Sequence, residues 1–564
     1  MTFEEYPLRV PSLAKVEKKL GGLIEEFKNA KDAAEAIKVV KKVNKFNGDL
    51  MTDMTIISIR FTIDTRNEIY QKAHDTIDEI SPEISAIFNQ YNILLVNSPF
   101  RKELEKAFGS YLFTMIDNSI KCFSPEIVPQ LQTENRLTSQ YAKLLAGAQI
   151  KFRGEVYNLS QLGKFMQDKD RETRKESNRL YWEWFSQNEE AIEKVYDELV
   201  HVRDEMAKKL GFKNYLELGY RRLGRVDYTP EMVAVYRDQI LREVTPVWKK
   251  LVKRQAKRIK ISTMKYYDMS LAFLSGNPTP IGDRAFLVEQ AKEMYDTISP
   301  DTSVFFQFML ENHLLDLDAK TGKQGGGYMT YMPRYKAPFI FANFNGTSGD
   351  VDVLTHEVGH AFQGYESRNI KVPEYQSPTL EACEIHSMSM EFFAEPYMEK
   401  FFGSDADKYR FDHLAGAINF LPYGVTVDEF QAFVYEHPEA TPAERNAKWR
   451  EIEKKYMPLL NYSGNAFLEK GGKWMRQHHI VESPLYYIDY TLAQVVAFQF
   501  AVEMRKNYDK AWKKYVRLCK LGGRYPFVTL LEHAKLRNPF IEGNVKKVIR
   551  PLAKELAGYD DLNM

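Results

Sequence analysis

The five residues His356-Glu357-Val358-Gly359-His360 constrain this chain more than any other stretch. On an α-helix, residues four apart lie about 40° from one another around the axis, so His356 and His360 face the same way one turn apart. Two imidazoles placed like this can grip one ion. Zn²⁺ binds neutral ring nitrogens well, and in catalytic sites it takes three protein ligands and leaves a fourth position for water. Glu357 adjoins the first histidine, where a carboxylate can take a proton from that water. The pattern predicts one zinc ion held by His356, His360 and a third ligand from elsewhere, with Glu357 as general base.

The flanking sequence predicts the helix itself. Gly349 and Asp350 mark its start, where Asp350 and Asp352 bring acidic groups to its positive end. Leu354, Val358, Ala361 and Tyr365 form an apolar stripe, and Val353, His356, Glu357, His360 and Gly364 share the adjoining face. Gly359 costs about 1 kcal/mol relative to Ala in a helix interior, which reads as room for a second helix to come close. That second helix is expected to carry the third ligand.

Downstream, Ser377-Pro378-Thr379 reads as a helix start, and Glu381, Glu384, Met388 and Glu391 fall on one face of the helix that follows. Three acids on a mostly apolar helix are costly to bury without a cation. Spacing leaves both Glu381 and Glu384 open as the third ligand, with the remaining acids orienting the histidines. His386 points nearly opposite to Glu384 and reads as structural.

At 564 residues the chain exceeds what one core serves, so two or more lobes are expected. The 78 Lys and Arg balance 77 Asp and Glu, which argues against a general attraction to nucleic acid or to anionic membrane. No apolar run approaches the roughly 18 residues of a membrane span. The start, Met-Thr-Phe-Glu-Glu-Tyr, lacks the regions of a secretory signal. Cys122, Cys383 and Cys519 are few and far apart, which suits a reducing compartment. A cytoplasmic protein is expected.

The rest of the chain reads mainly as helices. Ser12 caps a run with Leu13, Val16, Leu20, Leu23, Ile24 and Phe27 at helical spacing, and Ser81-Pro82-Glu83 reads as another helix start. Ile150 to Tyr157, with a central Gly154, predicts a small hairpin and a place for an N-terminal helical region, 1–150, to hand over to a catalytic helical region, 151–564, with lobes free to interleave. Phe165, Tyr181, Trp182, Trp184 and Phe185 read as core aromatics. The basic run from Lys249 to Lys260 has apolar residues interleaved at helical spacing and reads as a solvated helix face. Between Gly325-Gly326-Gly327 and Phe344, β-forming residues including Phe341 and Asn343 are interrupted by Pro333 and Pro338, which predicts a small ribbon with an open edge. Such an edge beside a metal can receive an extended peptide by backbone pairing, which makes Gly326, Phe341 and Asn343 candidate substrate contacts. A purely structural hairpin explains it equally well.

The motif, and Glu384 followed seven residues later by Glu391, make the chain resemble the thimet oligopeptidase and oligoendopeptidase F family of zinc peptidases. The likeness is strongest to the bacterial oligoendopeptidase F and Pz-peptidase members. It extends to Phe152–Asn188, Gly325–Tyr331 and Leu521-Gly522-Gly523-Arg524, and is weakest before residue 150. The resemblance implies Glu384 as third zinc ligand, with Glu391 supporting the histidines and Glu381 nearby. It also implies a His and tyrosines across from the zinc, here within His478 to Tyr490: His479 and Tyr490 facing the oxyanion, and Tyr486, Tyr487 and His478 contacting substrate. This chain lacks the Gly-Gly loop that thimet-type members carry between that His and Tyr. The fold implied is mainly α, two-lobed around a deep cleft, with a small sheet beside the motif helix. The activity implied is cleavage of internal bonds in short peptides, with collagen-like Gly- and Pro-containing peptides worth testing. A helical exopeptidase carries the same metal motif, and a zinc-bearing peptide-binding scaffold is the reading without turnover.

Overall fold

The stripe after Ser12 becomes a helix, Leu13–Lys28, that buries Val16, Leu20, Leu23, Ile24 and Phe27. In the computed structural model, which describes residues 1–564, it packs with the helices Ala33–Ile63 and Glu68–Val96 into a core that includes Leu20, Val39, Val43, Tyr91 and Leu95. One boundary differs from the sequence reading. Pro82 does not open a helix but lies inside Glu68–Val96. Its ring removes one backbone donor, yet the helix runs through it.

Five strands form two small sheets. β1 (Ile150–Phe152) and β2 (Glu155–Tyr157) make the expected hairpin, turning through Arg153 and Gly154 at φ 52° and 88°. In the second sheet β5 (Ala337–Phe344) is central, with β3 (Leu315–Asp318) parallel on one side and β4 (Tyr328–Met332) antiparallel on the other. Pro338 therefore stands on the central strand and not on an edge. It is tolerated because pairing with β3 begins only at Ile340, so at Pro338 the strand has β4 alone as neighbour. Pro333 follows β4 in a short turn that ends with Lys336 in the left-handed region at φ 50°.

The motif helix, Ser348–Ser367, packs on β4 and β5, on the helix Leu380–Ala394 and on the helix Tyr508–Leu521. The chain forms two compact units, interleaved along the sequence. One comprises residues 1–120, 279–406 and 499–536 and contains the three-stranded sheet and the motif helix; the other comprises 121–278, 407–498 and 537–564 and contains the hairpin and the stretch around His479. No helix is long and apolar enough to cross a membrane.

Candidate active site

The motif helix is fixed at its start by Asp350, whose carboxylate accepts the backbone N–H groups of Asn345 at 2.9 Å and Gly346 at 2.7 Å. Its close partner is Leu380–Ala394, entered through Thr379. The two helices approach at Gly359, where an added Cβ would stand 2.6 Å from Ser387 Cα and 2.7 Å from the His386 carbonyl oxygen. Only hydrogen fits there.

That approach brings three ligand atoms together. His356 Nε2 lies 3.2 Å and His360 Nε2 3.6 Å from Glu384 Oε2, and the three atoms all fall within 4.8 Å of one another. On its other side, His356 Nδ1–H donates to Glu391 Oε1 at 2.6 Å. The bond fixes the ring and turns the Nε2 lone pair toward Glu384. A lone pair facing a carboxylate repels it unless a proton or a cation lies between them. Accordingly, burial works against a charge on His356 but the hydrogen bonds and charges of Glu384 and Glu391 outweigh it, raising its pKa well above the usual imidazole value. Burial works against the charge on Glu384 as well, and the two histidines hold its carboxyl far below the usual range. Two imidazoles and one carboxylate converging on one point suit a zinc-sized divalent cation.

Glu357 sits beside this group, 8% exposed. Burial pushes its carboxyl up, against the pull of His360 and His356, and its Oε2 has no hydrogen-bond partner. An acceptor left open beside three ligands is ready for a water or a substrate proton. Gly327, just before β4, is close by: a Cβ there would stand 3.8 Å from Glu357 Oε1. Glu381 is buried on the partner helix but lies outside the ligand group. His386 is fully buried, bonded through Nδ1 to the Ala382 carbonyl at 2.6 Å, and burial pushes its imidazole down to about 4; it packs between helices and does not face the ligands.

The sheet residues separate by role. Asn343 Nδ2 donates to the carbonyls of Gln324 and Gly326, at 2.9 and 2.8 Å, and so ties down the glycine loop. Phe341, expected to touch substrate, is completely buried and stacked on Tyr328 with ring centres 4.8 Å apart. Its side chain belongs to the core, because β5 is covered on both faces, so only its backbone could meet a ligand. β4 has a strand neighbour on one side only.

The other expected residues gather in the second unit. His479 is ringed by Tyr487, Tyr490 and Tyr486, with ring centres at 5.0, 5.8 and 6.2 Å. His478 is exposed and bonded through Nδ1 to Glu482 at 3.2 Å. Two residues absent from the sequence reading set the state of His479. The Tyr423 hydroxyl donates to Gln477 Oε1 at 2.7 Å, and Gln477 Nε2 donates to His479 Nδ1 at 2.7 Å. An amide donor can meet only the unprotonated ring nitrogen, so the neutral ring carries its proton on Nε2. Burial, with a smaller contribution from His478, pushes this imidazole down to about 4. His479 is therefore a neutral Nε2–H donor near pH 7.

The tyrosines reach it through a strained turn. Leu485 adopts φ 67°, which costs an L-residue about 1–2 kcal/mol. It is held there from three sides: its N–H donates to Gln431 Oε1 at 2.8 Å, its carbonyl accepts Arg225 Nη2 at 2.8 Å, and its side chain packs where a Cβ on Gly219 would stand. Arg225 also pairs with Asp489, both side chains fully buried. No periodicity in the sequence announces such a turn.

Residues 3–123 match the family model for the peptidase M3 N-terminal domain, and residues 164–548 match the model for peptidase family M3. A Borreliella burgdorferi protein named oligoendopeptidase F homolog is 24% identical over 378 residues, 65% of this chain and 62% of that protein, so the chain spans a little under two thirds of that relative. Over the full length of both chains, the structure is similar to that of Pz peptidase A solved with an inhibitor, at 50% identity and a TM-score of 0.93. Oligoendopeptidase F from Enterococcus faecium shares the fold, with a TM-score of 0.66 at 15% identity over 98% of this chain and 97% of that one.

Proposed function

The chain belongs to peptidase family M3, and from that premise we propose that it is a zinc-dependent endopeptidase that cuts internal bonds of short peptides. The observation that carries this reading is the convergence of His356 Nε2, His360 Nε2 and Glu384 Oε2 beside the unpartnered Oε2 of Glu357. His356, His360 and Glu384 would hold the ion, which supplies Lewis acidity to the scissile carbonyl and to the attacking water. Glu391 keeps His356 turned with Nε2 inward. Glu357 takes the proton of the water at its open carboxylate oxygen and delivers it to the nitrogen of the leaving amine. Nε2–H of His479 and the hydroxyl of Tyr490 donate to the oxyanion as its charge develops. Tyr486, Tyr487 and the exposed His478 contact the peptide, and the free side of β4 pairs with its backbone. The names of the relatives support oligopeptides as the substrate class. A reducing, cytoplasmic setting suits three cysteines joined by no disulfide.

The test is a mixed pool of short peptides, each with a free and a blocked C-terminus, incubated with and without chelator. Internal cuts in both forms, lost with chelator and restored by zinc, are expected. Removal of residues only from free C-termini would instead make it an exopeptidase, and no cleavage at all would leave a binding scaffold. Glu357→Gln should keep its metal and lose at least about 100-fold in turnover; more than about a tenth of the activity remaining would end the general-base assignment.

A further inference from the structure

A cavity of about 710 Å³ lies wholly within the second unit, inside the roughly 300–1,000 Å³ range of small-ligand sites. Trp182, Tyr181, Tyr423 and Tyr462 contribute to its wall, and two cations, Lys473 and Arg476, line it. The cations differ in what they face. Lys473 Nζ lies 3.3 Å from Glu453 Oε1, and that carboxylate also takes Arg450 Nη1 at 3.1 Å and the Tyr462 hydroxyl at 2.6 Å. Glu453 is thus already shared among three donors.

Arg476 has no carboxylate within ion-pair reach. Its guanidinium lies 5.8 Å from the Trp182 ring centre. Aromatic faces stabilise a cation without neutralising it, and the planar guanidinium fork carries five N–H donors. Arg476 is exposed where it lines the cavity, so its donors are open to an anion that arrives from outside. Gln477, which positions His479, and His478 line the same cavity, so an anion bound here would be carried by a molecule that also passes the His479 turn.

We propose that this cavity is a subsite for a peptide carboxylate, received by the fork of Arg476 while the aromatic wall holds the residue that bears it. The proposal rests on the peptidase reading above. A planar carboxylate matches the guanidinium with two parallel hydrogen bonds. The group can come from the C-terminus of the peptide or from an Asp or Glu side chain.

The test is a titration of the Glu357→Gln protein with a fluorescent hexapeptide in four forms, free acid or amide at the C-terminus and Glu or Gln in the chain. Removing the recognised carboxylate should weaken binding about tenfold or more, and the form that loses affinity identifies the source. Adding Arg476→Gln should abolish the preference and leave the neutral peptide bound as before, and Arg476→Lys should restore part of it. With wild-type protein the same preference should fall on KM and not on kcat. Equal affinity for all four forms, or a uniform loss in Arg476→Gln, overturns the subsite. Selective binding without any cleavage overturns only the peptidase reading, and cleavage of all four at one KM overturns only the subsite.

Discussion

His356 and His479 are both partly buried histidines, in different units, and the protein holds them in opposite ways. His356 lies between the carboxylates of Glu384 and Glu391, at 3.2 and 2.6 Å, and its environment favours positive charge. His479 faces an amide and three phenol rings, and its environment resists charge. The first arrangement calls for a cation, the second preserves a neutral donor. The proposed metal site and the proposed oxyanion donor need these two different environments.

The sharpest way to break the contrast is to remove a carboxylate from the first environment. Glu384→Ala should weaken zinc binding well beyond the roughly 10- to 100-fold typical of losing a supporting residue, and Glu391→Ala should stay within that range. Glu381→Ala should do less than either. Competition with a chelator of known affinity measures all three, and equal losses for Glu384→Ala and Glu381→Ala would undo the ligand assignment.

In the second environment the corresponding change is Tyr490→Phe, which keeps the ring against His479 and removes the hydroxyl. Turnover should fall by about 100-fold, with zinc content unchanged. An unaltered rate would move the oxyanion role to another donor.

The two regions were also unequally legible in the sequence. His356, His360, Glu384 and Glu391 sit on two regular helices, where spacing alone says which side chains share a face. Gly359 was readable for the same reason, since a glycine inside an otherwise apolar helix points to a close neighbour. The choice between Glu381 and Glu384 was not readable from spacing, because both lie on the right face and only the depth of the partner helix separates them. Around His479 the geometry comes from Leu485 at φ 67°, Arg225 and Gln431, which are distant in sequence and have no period. Tyr423 and Gln477 carry no sequence signal for that reason, and the burial of the Phe341 side chain is not legible because a strand pattern does not reveal that both of its faces are covered.

The helix-to-helix approach can be tested by a paired substitution. Gly359→Ala gains helix propensity but drives a Cβ into the backbone at Ser387, 2.6 Å away, and a backbone cannot swing aside. The clash should win, lowering stability by about 1–3 kcal/mol. Gly21, in the helix Leu13–Lys28, has nothing within 4 Å of the same position, so Gly21→Ala should stabilise by up to about 1 kcal/mol. Thermal unfolding of the metal-free proteins should show shifts of opposite sign.

The smallest expected effect probes the neutral state of His479 directly. In Gln477→Glu an acceptor replaces the donor to Nδ1, and the added carboxylate favours the imidazolium, so the pKa of His479 should rise from about 4 toward or above the usual imidazole value of about 6.5. Below the new pKa both ring nitrogens carry protons and Nε2–H still donates, so activity persists. As pH rises through it, the proton that remains is the one bonded to the new carboxylate at Nδ1, and Nε2 turns from donor to acceptor. Turnover of Gln477→Glu should therefore decline by several-fold to about tenfold between pH 6 and 8, whereas the wild type, already neutral with its proton on Nε2, shows no such limb from this residue. Gln477→Met, which frees the tautomer without adding charge, should lose activity without gaining the pH dependence. Histidine ¹⁵N shifts report the tautomer independently of turnover, and a mutant whose Nε2 remains protonated at pH 8 would show that Gln477 does not set it.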